Sequence, residues 1–127
     1  ADGDVLALPH EEMERLLEHI RQQLPWVRRV SSYASSRNIA AKTDAELSQY
    51  RALGLQRLYL GLESGHDPTL RAIAKGVDSA SMVEASQRVQ RADMALSVSC
   101  ILGVAGVADS QAHALATAQV LNRMHVA

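Results

Sequence analysis

The stretch Leu55-Gln56-Arg57-Leu58-Tyr59-Leu60-Gly61-Leu62-Glu63-Ser64-Gly65, followed by His66-Asp67-Pro68, constrains the fold more than any other part of the chain. Its apolar run opens after Gly54 and closes at Gly65, and Asp-Pro starts a helix at once afterwards, so the run reads as a buried strand rather than a helix. A strand feeding directly into a helix is the unit of a parallel α/β sheet, where ligands bind at the carboxyl ends of the strands. Glu63 is delivered to such an end and is the leading site candidate. The bland alternative is a surface Glu that helps the next helix to start.

The remaining chain supports the same architecture. Pro9 suits a first helical turn, and Met13, Leu16, Leu17, Ile20 and Leu24 fall at helical spacing before Pro25. Trp26 to Ala34 reads as a strand, with Ser31, Ser32, Tyr33 and Arg37 toward its tip. Thr43-Asp44-Ala45-Glu46 is a capping box, Leu47, Tyr50 and Leu53 form a buried stripe, and Gly54 ends that helix. Asp67 and Pro68 open a short helix that Gly76 can close, and another runs from about Ser79 with Met82, Ala85, Val89 and Ala92 inward. Ala95 to Val104 reads as a third strand, and Asp109 caps a final helix whose inward face is Leu115, Ala118, Leu121 and Met124. This order predicts an α/β fold of parallel βα units with right-handed crossovers. Three nearly continuous apolar strands need cover on both faces, which suggests a segment of a larger barrel.

Composition narrows the classes of function. Thirteen basic residues face 14 acidic ones, without a Lys/Arg block, so neither nucleic acid nor an anionic membrane is expected as partner. No apolar run approaches the roughly 20 residues of a membrane span, and no signal-peptide pattern opens the chain, so a cytoplasmic location is expected. The single Cys100 reads as a small buried hydrophobe, and one thiol is no ligand set for a structural zinc or iron-sulfur site. His10, His19, His66, His113 and His125 form no recognised zinc spacing, and the Ser-rich run from Ser31 to Ser36 lacks a nucleophile elbow.

Tyr33-Ala34-Ser35-Ser36-Arg37, Gly61-Leu62-Glu63-Ser64-Gly65 and Cys100-Ile101-Leu102-Gly103-Val104-Ala105-Gly106 fall at the carboxyl ends of three successive strands. Glycines there let a flat or extended ligand approach the backbone, and Glu and Ser can bind ribose hydroxyls or an amino group. Together with Asp2-Gly3-Asp4, Asp67, Leu70 and Lys75-Gly76, these stretches resemble the radical S-adenosylmethionine (SAM) superfamily. The nearest branch includes oxygen-independent coproporphyrinogen III oxidase and related iron-sulfur oxidoreductases.

The resemblance implies a partial (β/α)6 barrel in which a [4Fe-4S] cluster and SAM meet at the strand ends. There, reductive cleavage of SAM yields a 5′-deoxyadenosyl radical that abstracts hydrogen from a small-molecule substrate. By position, Asp2, Gly3 and Asp4 fall where the family backbone meets the methionyl amino group. Glu63, with Ser64 beside it, takes the place of a polar SAM contact, and Lys75 that of a basic residue on the SAM carboxylate. Ser99 falls where a ribose-binding Asp is common, Gly103 in a Gly-rich segment near adenine, and Tyr33 where an acidic residue is often found. The family's Cys-x3-Cys-x2-Cys loop is not in this sequence, so residues 1–127 resemble the central part of such a core, with cluster ligands elsewhere in a longer parent. The fragment alone is expected to be inactive and to self-associate through uncovered strands. The alternative is a non-catalytic α/β folding or oligomerisation unit.

Overall fold

The computed structural model describes residues 3–126. Six α-helices and three strands follow one another: α1 (His10–Gln23), β1 (Val30–Tyr33), α2 (Ser36–Ala41), α3 (Asp44–Ala52), β2 (Leu55–Glu63), α4 (Asp67–Ala72), α5 (Ser79–Arg91), β3 (Ala95–Cys100) and α6 (Ser110–Met124). A short 3-10 turn at Val5–Ala7 precedes α1. The strands form one parallel sheet in the order β1-β2-β3, the α/β arrangement expected from the spacing of the motifs.

Local chemistry sets most of these boundaries. Thr43 and Glu46 make both hydrogen bonds of the capping box at α3. Glu11 and Glu12 in the first turn of α1 and Arg21 in its last complement the helix dipole. Met82, Ala85, Val89 and Ala92 are all buried, which seats α5 as the central helix. Helices α3 and α5 pack on the sheet, α2 and α6 pack on α5, and α1 packs on α3.

All of that helical cover lies on one face. Leu58, Leu60 and Leu62 of β2 point into it and are buried, as is Leu55 at the start of the strand. The alternate residues of the sheet turn the other way: Arg57, Tyr59 and Gly61 of β2 lie in register with Ser31 and Tyr33 of β1 and with Ala95, Ser97 and Ser99 of β3. That second face is open, with Tyr33 63% and Tyr59 37% exposed. The strands are therefore two-faced, apolar toward the helices and polar to aromatic on the open side, rather than apolar throughout. No helix among the described residues is long and apolar enough to cross a membrane.

Several elements depart from the sequence expectation. Strand β3 ends at Cys100 rather than Val104, because Gly103 (φ 78°) and Gly106 (φ 69°) lead residues 101–109 through turns. Strand β1 starts only at Val30, after a turn in which Val27 N–H donates to the Leu24 carbonyl. Helix α2 is an unpredicted element, started by Ser35, whose hydroxyl accepts from Asn38 N–H at 3.2 Å. Asp67 does not cap α4; His66 occupies that position, and the Asp67 carboxylate accepts from Ser79 N–H at 2.8 Å, joining α4 to the start of α5.

Helix α6 shows the largest difference. Asp109 sits at its N-cap without a side-chain cap hydrogen bond, and the inward residues are His113, Thr117, Val120 and Met124. Leu115 is exposed, as is Ala118. The orientation follows from polar chemistry that an apolar pattern does not carry. Ser64 Oγ lies 2.8 Å from His113 Nδ1, and Gly65 N–H donates to Thr117 Oγ1 at 2.9 Å. A Cβ on Gly65 would stand 2.5 Å from the Ala116 carbonyl oxygen, so the bare backbone of Gly65 is what lets α6 seat so closely.

Candidate functional site

A cleft of about 830 Å³ opens at the carboxyl ends of the strands, on the uncovered face of the sheet. Its floor is the end of β2, and its walls come from the loop after β1, the segment before α1 and the turn after α4.

Glu63 is the centre of the site because of its backbone. It adopts φ 61°, in the left-handed region where a residue other than Gly is uncommon. The cause is a register shift between Gly61 and Glu63, which pair with Ser99 and Cys100 of β3 respectively. One residue is thus bulged out of the ladder, and such bulges re-aim side chains at strand ends. Pairing resumes beyond it through Ile101 N–H to the Glu63 carbonyl at 3.0 Å. The bulge turns the carboxylate back over Gly61, so close that any Cβ there would overlap Oε1.

Lys75 meets that carboxylate. Its Nζ donates to Glu63 Oε1 at 3.1 Å, and both side chains are about a quarter exposed, at 27% and 21%. Two left-handed residues place it there. Helix α4 stops as Ala74 turns to φ 51°, Lys75 N–H bonds back to the Leu70 carbonyl at 2.9 Å, and Gly76 follows at φ 77°.

The remaining candidates divide. Gly3, Asp4, Tyr33 and Ser99 line the same cleft as Glu63 and Lys75. Asp4 is there as a tie. Its Oδ2 accepts from Ser35 N–H at 2.6 Å and from the Asn38 side-chain amide at 2.8 Å, and its Oδ1 accepts from Leu6 N–H at 3.0 Å. With three donors already on it, this carboxylate fastens the segment before α1 to the loop after β1. Ser64 is fully buried, turned away from the cleft into the contact with α6. Gly103 sits in the turns after β3 and does not line the cleft. Asp2 lies outside the described residues.

Two further lining residues had no role assigned to them from the sequence. Tyr59 stands beside Tyr33 across the β1–β2 pairing, with ring centroids 5.4 Å apart and planes tilted by 40°. Its signal in the sequence was parity: it shares the face of Gly61 and Glu63, opposite the buried leucines. Arg37 extends from α2 and lies against Gly76, where an added Cβ would come within 3.1 Å of its Nη2. Cys100 is half-buried at the edge of the core rather than deep inside it, and burial, followed by the charge of Glu63, pushes its thiol pKa up.

Among the described residues no group of three or more His, Cys, Asp or Glu side chains is placed to hold a metal ion. Fold and cleft define a parallel α/β protein with a polar, aromatic-lined cleft at the carboxyl ends of its strands. The sequence matches no family model and no curated protein.

Proposed function

We propose that the cleft binds S-adenosylmethionine, as the central part of a radical SAM core built on a partial (β/α)6 barrel in a cytoplasmic enzyme. The observation that carries this reading is the Glu63–Lys75 pair at the strand tip, 3.1 Å apart and held over Gly61. A carboxylate and an ammonium side by side complement the α-amino and α-carboxylate groups of an amino acid. They suit the methionyl end of SAM without leaving a net charge in the site when it is empty. Ser99, exposed on the neighbouring strand and in register with Gly61, offers a hydroxyl to a ribose. The volume of about 830 Å³ lies toward the upper end of the ~300–1,000 Å³ usual for ligand sites, leaving room for a small substrate beside the cofactor.

Bound beside a reduced [4Fe-4S] cluster, SAM would supply radical chemistry for hydrogen abstraction. The single cysteine of this chain is no donor set for that cluster, so the residues here do not hold it. Their work is binding and orientation. Glu63 accepts from the ligand's ammonium, Lys75 turns from Glu63 toward its carboxylate, and Asp4 keeps the loop after β1 closed against the cleft. The open edges of β1 and β3 favour association with further strands, so multiple-angle light scattering of this chain should show dimers or larger species.

Titration calorimetry of SAM into the chain, beside Glu63→Gln, tests the cofactor reading. Binding to the unaltered protein that weakens about tenfold in the variant, or roughly 1.4 kcal/mol, supports it. Equal affinity for both proteins, or no heat at millimolar SAM, overturns it.

A further inference from the structure

The open face of the sheet carries a pair of aromatic rings and a cation to which the Glu63, Lys75 and Ser99 contacts proposed for the cofactor give no role. Tyr33 and Tyr59 are rigid strand residues in direct register, and their adjoining rings form a continuous surface in the cleft. Among the described residues neither hydroxyl has a hydrogen-bond partner, and neither ring packs into the core. Large aromatic groups left exposed side by side in a concave site offer contact area at low entropy cost, since each has only two side-chain torsions.

The charges of the cleft single out Arg37. Among the described residues four charged ones line it: Asp4, Arg37, Glu63 and Lys75. Asp4 is held by three donors, and Glu63 and Lys75 neutralise each other. Asp4 and Arg37 both lack an ionic partner among the described residues, but the Asp4 oxygens are taken by neutral donors, whereas the Arg37 guanidinium has no hydrogen bond there and lies over the bare backbone of Gly76, where a side chain would crowd it. An unpaired guanidinium in a cleft is a fork for a carboxylate or phosphate.

We propose that Tyr33, Tyr59 and Arg37 form a substrate-recognition surface for a planar aromatic group that carries a carboxylate or phosphate, the ring lying on the tyrosines and the anion on Arg37. In calling that molecule the substrate, this inference rests on the cofactor reading above; the binding surface itself does not. The surface shares the cleft with the Glu63–Lys75 pair but no residue with it, so the two can be tested apart.

The test is fluorescence titration of the full chain with 2-naphthoate, 2-naphthyl phosphate and, as the uncharged control, 2-naphthylmethanol. Each is measured on the unaltered protein, on Arg37→Gln and on the double variant Tyr33→Leu with Tyr59→Leu. All three altered residues are solvent-exposed, and circular dichroism confirms that the variants fold. One of the two anionic probes should bind in the unaltered protein and weaken about tenfold in each variant, while Arg37→Gln leaves the control unchanged. The tighter of the two assigns carboxylate or phosphate. Replacing both tyrosines by Phe should retain binding, because stacking needs the ring and not the hydroxyl. Failure of both probes to bind, or equal affinity in all proteins, overturns the proposal. SAM titrated in parallel separates the two readings: naphthoate binding without SAM binding removes only the cofactor, and the reverse removes only this surface.

Discussion

Lys75 Nζ donates to Glu63 Oε1 at 3.1 Å, and the backbone of Glu63 is held at φ 61° to make that contact. The ion pair does not account for the backbone. A partly exposed Lys–Glu pair contributes about 0–1 kcal/mol, whereas a left-handed conformation costs a residue with a Cβ about 1–2 kcal/mol. Packing of β2 between β1 and β3 imposes the bulge, and the bulge aims the carboxylate into the cleft. Strain of this kind is characteristic of sites where a side chain must point in an unfavourable direction.

Comparison of Glu63→Gly with Glu63→Ala isolates that strain. Both substitutions delete the ion pair equally, so their difference reads the backbone alone. The Gly variant should be the more stable of the two by about 1 kcal/mol in urea denaturation. Equal stability, or a more stable Ala variant, would show that the left-handed backbone carries no cost.

Two glycines of β2 and its following turn separate site from scaffold. At Gly61 an added Cβ meets the end of the flexible Glu63 side chain, which can swing away. Gly61→Ala should therefore leave stability within about 1 kcal/mol while displacing the carboxylate and weakening ligand binding about tenfold. At Gly65 the Cβ meets backbone, 2.5 Å from the Ala116 oxygen and 2.6 Å from Thr117 Cα. Gly65→Ala has to push α6 away, at a cost of about 1–3 kcal/mol. Thermal denaturation and a binding titration on the two variants check the contrast.

What the sequence made legible is governed by short-range rules. The capping box at Thr43 and Glu46, the inward stripe of α5 and the boundaries of β2 each follow from residues close together in the chain. The strand-end rule also placed Tyr33 and Glu63 near one another, and both line one cleft, as does Ser99, which only the family resemblance singled out. What stayed hidden depends on contacts between distant segments. Ser64 looked like a site residue by its position beside Glu63, but one step along a strand reverses the face, and it is buried against His113 some 49 positions away. Asp4 bonds to residues 31 and 34 positions ahead, a role no local pattern announces. The bulge at Glu63 arises from pairing with β3, so its left-handed backbone is invisible within β2 alone.

The buried contact of Ser64 leads to a further expectation. Ser64 Oγ accepts from His66 N–H at 3.0 Å and lies 2.8 Å from His113 Nδ1, and it has no exposure to water. Ser64→Ala would strip both groups of this partner inside the protein, where an unsatisfied polar atom costs about 1–3 kcal/mol. The loss should appear in chemical denaturation, with hydrogen exchange at α6 accelerated and SAM affinity unchanged once the protein is folded. A variant as stable as the parent would mean that α6 is held by its apolar contacts alone.

Stability should fall at both ends of the pH scale, for reasons located at the contact of α1 with α3. Glu46 is held below its usual value of 4.5, first by the Thr43 backbone N–H that it accepts. A carboxyl with a lowered folded pKa binds fewer protons folded than unfolded, so its stabilisation is present above pH 4.5 and is lost as pH falls further. Tyr50 acts at the other end. Burial, then the charges of Glu46 and Glu14, push its hydroxyl from 10.0 up to about 12. Between those values the unfolded chain loses the proton and the folded chain keeps it, so stability is full below pH 10 and falls as pH rises toward 12. Thermal midpoints followed from pH 3 to 12 should show both arms. Glu46→Gln should reduce the acid arm and, by removing one of the charges that raise Tyr50, shrink the alkaline one without abolishing it. Tyr50→Phe should flatten the alkaline arm, at a cost near neutral pH of about 1 kcal/mol for the bond between its hydroxyl and His10 Nδ1, 2.9 Å apart. An alkaline arm that persists unchanged in Tyr50→Phe would assign the high-pH loss to some other group and remove Tyr50 as its cause.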